Sequence, residues 1–112
     1  MDHFFQMSDL LARRTATGKR YLEFLRVPAL SSGIYVLPAG EKDGQSPHRE
    51  DEVYYVASGR ARMKIVDASG NIDDRAVTAG TVIFVEAQAQ HRFHSIEEEL
   101  VLLVFFAPAE TM

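Results

Sequence analysis

The chain has no cysteine among its 112 residues. Disulfides, thiolate nucleophiles and cysteine-bound clusters are therefore excluded, and any bound metal must take nitrogen and oxygen donors. Positive charge is also scarce: 12 Lys and Arg stand against 16 Asp and Glu, a formal net charge of -4. A nucleic-acid surface needs clustered Lys and Arg, so no nucleic-acid partner is expected. The main basic group, Arg13, Arg14, Lys19 and Arg20, suits a solvated helix end. Long hydrophobic runs are missing as well. Leu100 to Pro108 is the longest and falls far short of the ~20 residues that span a bilayer. The N-terminus lacks the basic-then-apolar pattern of a signal peptide. No membrane partner is expected, and a cytoplasmic address follows by default.

With 46% hydrophobic and 25% charged residues, the composition is that of one packed domain. Ser8 is placed to cap a short N-terminal helix with Asp9 in its first turn, Arg13 and Arg14 toward its negative end and Gly18 as its stop. The pattern then changes to short runs rich in Val, Ile, Phe and Tyr: Tyr21 to Val27, Gly33 to Leu37, Val53 to Ala57, Arg60 to Val66, Arg75 to Thr78, Thr81 to Val85, His91 to His94 and Leu100 to Ala107. Eight strands without intervening helical periodicity predict an all-β fold, an antiparallel sandwich or barrel. Asp67 to Asp74 is expected to be a hairpin loop, and Glu97, Glu98 and Glu99 an exposed turn. The last run is apolar on both alternating faces, which predicts burial once in the core and once beneath the N-terminal segment or another subunit.

His48, Glu52 and His91 are the candidate chemistry. Two imidazoles and one carboxylate leave open positions on a divalent ion and suit Fe, Mn, Ni or Co, with Zn at lower coordination number. An extended chain would hold residues 48 and 52 about 13 Å apart, at ~3.4 Å per residue. They can share an ion only if the chain turns at Arg49-Glu50-Asp51 or forms a helical turn there. Val53-Tyr54-Tyr55-Val56 favours a turn leading into a strand.

Gly40, five residues, Ser46-Pro47-His48, three residues, Glu52, six residues and Gly59 resemble the first motif of the cupin superfamily. Gly80, five residues, Glu86-Ala87-Gln88, two residues, His91, three residues and Ser95 resemble its second. The resemblance covers residues 33 to 107. It implies a double-stranded β-helix, a small jelly-roll barrel with the metal inside, of the short single-domain bacterial type. It also implies a homodimer, a cupin domain over residues 33–112, and a helix and leading strand over residues 1–32 packed on the barrel. The roles of second His, carboxylate and last His fall on His48, Glu52 and His91. Ser46 stands where the family has its first His, so Gln45, Ser46 or water would supply an oxygen in its place. Glu86, Gln88 and Ser95 replace the Pro, Gly and Asn of the second motif.

Tyr54, Val56 and Phe93 share inward parity with Glu52 and His91 and are candidates, with Ser46, for the pocket wall. His94 has the opposite parity. Three functions fit: an enzyme whose divalent ion acts on a small oxygenated or carbonyl-bearing substrate by oxidation, isomerisation or lyase chemistry; a non-catalytic module binding a small molecule or metal; and a dimer with a vestigial site.

Overall fold

The computed structural model describes residues 1–45 and 47–111. Helix α1 (Met7–Thr17) is followed by β1 (Tyr21–Val27), β2 (Leu30–Leu37), β3 (Asp51–Val66), β4 (Ile72–Thr78), β5 (Val82–Val85) and β6 (Gln90–Ala107). Every pairing is antiparallel, in the order β1-β2-β6-β3-β4, with β5 also paired to β3. The all-β expectation holds, with a single short helix. No described helix is long and apolar enough to cross a membrane.

Six strands replace the eight expected, because two pairs of runs are each continuous. Val53–Ala57 and Arg60–Val66 join into β3, while His91–His94 and Leu100–Ala107 join into β6. Glu97, Glu98 and Glu99 are thus strand residues and not a turn. Their charge goes to the exposed face, where Glu97 and Glu98 pair with Arg60 of β3. Ser8 also departs from expectation: the helix starts two residues earlier, its cap is Gln6, and that cap makes no side-chain hydrogen bond. Gly18 does end the helix in the left-handed conformation, φ 70°.

The two joined strands form the spine of the barrel, and their inward faces change parity midway. On β3 the buried side chains are Glu52, Tyr54 and Val56, then Ala61 and Met63; on β6 they are His91 and Phe93, then Ile96, Leu100, Leu102, Val104 and Phe106. A strand alternates with period two, so each change requires an irregular residue. Gly59 provides it on β3, at φ 95°, and Ser95 on β6, at φ 52°. The β3–β6 register shifts between Val56 and Arg62. Only glycine fits at position 59, since a Cβ there would collide with the Glu99 carbonyl.

This bend assembles the interior. Glu52 pairs with Phe106 at one end of the β3–β6 ribbon, and His91 pairs with Ile65 at the other. Thirteen residues of β3 separate those rungs, about 43 Å of extended strand at ~3.3 Å per residue. The ribbon must fold back on itself for the two side chains to meet.

β6 is buried on both faces only in part. Leu100, Leu102, Val104 and Phe106 enter the main core, and Val101 joins Leu10 of α1 with Ile34 and Val36 of β2 in a second cluster. Leu103 is half-buried and Phe105 exposed. The N-terminal helix therefore covers one part of this outer face and leaves another open.

Candidate metal centre

His48 precedes β3, and the chain bends at Arg49 and Glu50 before the strand begins at Asp51. The turn preferred over a helix is what forms. The Gln88 N–H holds the bend from below by donating to the His48 carbonyl at 2.7 Å. Gln88 itself has φ 69°, a left-handed conformation that accounts for glycine at this place in the second motif.

His48, Glu52 and His91 converge, each offering one atom within 4.8 Å of the other two. His91 Nε2 lies 3.2 Å from Glu52 Oε1, and His48 Nε2 lies 3.9 Å from it. All four inward atoms, the two Nε2 and both Glu52 oxygens, are shielded from solvent and have no hydrogen-bond partner among the described residues. Glu52 is 1% exposed. An anion so buried costs free energy unless a cation or proton answers it.

The outer nitrogens of both rings are tied down. His91 Nδ1 lies 3.0 Å from the Ala89 carbonyl, to which it donates, and His48 Nδ1 lies 3.2 Å from Glu110 Oε2. Acceptors on Nδ1 keep the proton there and turn the Nε2 lone pairs inward, as the outer hydrogen-bond partners of metal-bound histidines do. Burial opposes a charged His91, yet the close Glu52 carboxylate, the Ala89 carbonyl and the charge of Asp43 outweigh it and raise its pKa. A proton thus competes with a metal ion for this point. The donor set fits a divalent cation, and these three residues could hold one.

Gln45 reaches the same region but is engaged at both ends: Tyr54 donates to its Oε1 at 2.7 Å, and its Nε2 donates to Asp43 at 2.9 Å. Burial, then the Glu52 charge, pushes the Tyr54 pKa well above its ordinary value, so this phenol serves as a donor. Ser46 lies outside the described residues. A cavity of about 200 Å³ adjoins His48 and Glu52, walled by Tyr21, Tyr35, Gln45, Val104, Phe106 and Glu110. Tyr54, Val56 and Phe93, expected at the pocket wall, do not border it. They share its inward parity but lie beneath it in the main core, where Tyr54 and Phe93 pack edge to face at 5.1 Å.

Three residues that the motifs do not single out complete the surroundings. Asp43 accepts from the Tyr35 hydroxyl, the Gln45 amide and the Phe93 N–H, which fixes the loop before His48 onto β2 and β6. Glu110 comes from the segment after β6, anchored by its N–H on Ser31 Oγ and by Arg26 on its carbonyl. Burial is the largest cause of its raised pKa, with His48 opposing. Tyr21 lies across Gly33, where a Cβ would strike the phenol ring, and its buried hydroxyl has no partner among the described residues. Alternation on β1 and β2 was the only sequence signal available for Tyr21. Glu110 and Asp43 offered none beyond ordinary surface charge.

The sequence profile of the cupin domain matches residues 33–106. The chain is a cupin. An uncharacterised protein of Streptomyces coelicolor is 42% identical to this cupin over 107 residues, which are 96% of this chain and 97% of that one. Among solved structures, a variant of Bacillus subtilis oxalate decarboxylase superposes with a TM-score of 0.68 at 27% identity, covering 72% of this cupin and 22% of the larger enzyme. Fe(II)-HppE superposes with a TM-score of 0.64 at 21% identity, over 77% of this cupin and 48% of that protein, a likeness of fold alone. This cupin spans well under half the length of the oxalate decarboxylase it matches.

Proposed function

We propose that the protein is a cytoplasmic, homodimeric cupin in which His48, Glu52 and His91 hold one divalent ion, with Fe, Mn, Ni and Zn as the candidates. Its substrate would be a small oxygenated or carbonyl-bearing molecule bound in the adjoining cavity. Support comes above all from the four inward donor atoms, buried together without hydrogen bonds. A bound divalent ion supplies Lewis acidity to a substrate oxygen. The chain's own residues do the rest. Ala89 and Glu110 fix the imidazoles, Val104 and Phe106 keep the cavity wall dry, and Tyr54 holds Gln45 at the rim. Because Tyr21 belongs to β1, we assign residues 1–32 a share in the cavity beside the barrel of residues 33–112.

Replacing Glu52 with Gln separates this reading from a structural one. If the carboxylate is kept for metal, a divalent ion raises the melting temperature of the wild-type protein and not that of Glu52→Gln. A purely structural ion pair with His91 predicts a wild type indifferent to metal and a loss of several kcal/mol in the variant.

The homodimer finds support on the outer face of the sheet. Val53 lies opposite both Phe84 and Phe105, and Tyr55 opposite both Val82 and Leu103. Phe84, Val82, Tyr55 and Phe105 are exposed at 57%, 66%, 39% and 39%. Six apolar side chains on adjacent rungs make a patch of the kind that marks a protein interface. Phe105→Glu should convert the dimer to a folded monomer in sedimentation. A parent chain that sediments as a monomer at high concentration would remove the dimer.

A further inference from the structure

We propose that this cavity selects a small uncharged or cationic ligand bearing an N–H donor and a carbonyl-type acceptor, and discriminates against carboxylates. The inference rests on the metal reading above and adds to it the charge and hydrogen-bonding character of the ligand. Size comes first. About 200 Å³ lies below the ~300 Å³ at which pockets for drug-sized molecules begin. A cavity of this size takes a ligand smaller than a drug-sized molecule.

Charge decides the class. Glu52 and Glu110 both border the cavity, and among the described residues that line it there is no Lys or Arg. One divalent ion facing two carboxylates leaves no net positive charge to attract an anion. Asp43, one hydrogen bond away through Tyr35 and Gln45, adds a third carboxylate. Arg26 makes no direct ion pair with Glu110, for its guanidinium is held by Glu23 and meets Glu110 at the backbone carbonyl.

The two polar groups left over have opposite characters. The Tyr21 hydroxyl is buried and has no partner among the described residues, and burial together with the nearby Glu110 and Glu23 keeps it protonated, so it can donate to a ligand oxygen. Glu110 can only accept while ionised, and the bond to His48 Nδ1 occupies one of its oxygens. A ligand N–H beside a carbonyl or hydroxyl would meet both groups, whereas a carboxylate would meet Tyr21 and be repelled by Glu110.

The test uses the chain loaded with Co(II), whose visible spectrum responds to ligands entering its coordination sphere. It is titrated near neutral pH with glycolamide and with glycolate, which match in size and in hydroxyl and carbonyl oxygens but differ in charge. The wild-type protein should bind glycolamide the more tightly. Glu110→Gln should retain Co(II), since glutamine still accepts from His48, and should shift the affinity ratio toward glycolate by about tenfold or more. Tyr21→Phe should weaken both probes and leave the ratio in place. A ratio identical in wild type and Glu110→Gln, with Co(II) fully bound in both, would overturn the ligand class while leaving the metal centre standing. A wild-type chain that takes up no Co(II) would overturn the metal centre itself.

Discussion

His91→Ala is expected to fold and to retain no divalent ion. The substitution deletes one of three donors, and of the other two His48 is held by Glu110 and Glu52 is buried, so neither replaces the lost imidazole. Losing even an outer hydrogen-bond partner costs a metal site about 10–100-fold in affinity, so losing a donor should cost more. In the wild-type protein, metal at 100 times its dissociation constant adds about 2.7 kcal/mol of stability, and this increment should be absent from the variant. The fold should persist because the main core is anchored elsewhere, on Phe93, Leu100, Leu102 and Val104. Circular dichroism with elemental analysis of the same sample checks both halves. Metal retained at the wild-type ratio would remove His91 from the ligand set.

Gly59→Ala should be the most damaging single methyl group in the chain. The backbone there has φ 95°, a region that alanine adopts only with strain, and the new Cβ would run into the Glu99 carbonyl of the paired strand. Together these cost roughly 3 kcal/mol, a fall in Tm of about 10–20 °C for a domain of this size. The effect should extend to the site. Position 59 lies far along β3 from Glu52, yet it sets the bend that brings the two ends of the β3–β6 ribbon together. Metal affinity measured on whatever fraction folds should therefore drop as well. A variant with unchanged melting temperature would mean that the ribbon bends by some other means.

The contrast between these two positions shows what the sequence made legible. His48, Glu52 and His91 stood out together through their match to the two cupin motifs, and the turn at Arg49-Glu50-Asp51 was preferred because an extended chain would hold residues 48 and 52 too far apart. The strand runs and the helix were equally visible, because alternation and composition are local properties. Continuity through the bends was not. Glu97, Glu98 and Glu99 have the composition of a turn, yet they remain in a strand, flanked by the irregular Ser95 on their own strand and faced by Gly59 on β3.

Long-range polar partners were hidden for a different reason. Asp43 and Glu110 are single carboxylates in hydrophilic stretches, and nothing local distinguishes them from solvated charge. Their roles arise from tertiary placement: Asp43 bonds to Phe93 fifty positions away, and Glu110 reaches His48 from the segment after the last strand. Tyr54, Val56 and Phe93 illustrate the converse limit. Parity correctly turned them inward, but it could not tell depth, and depth separates a core residue from a cavity wall. Tyr21 was concealed by its distance from both motifs, although Gly33 beneath it marks a place where two elements come close.

Elemental analysis of the protein, purified without an affinity tag and reconstituted in turn with Fe, Mn, Ni, Co and Zn salts, tests the central claim most directly. Close to one ion per chain is expected with at least one of these metals, removable by a chelator with a measurable fall in melting temperature. A folded protein that binds none of them, and whose melting temperature is indifferent to all five, would contradict it.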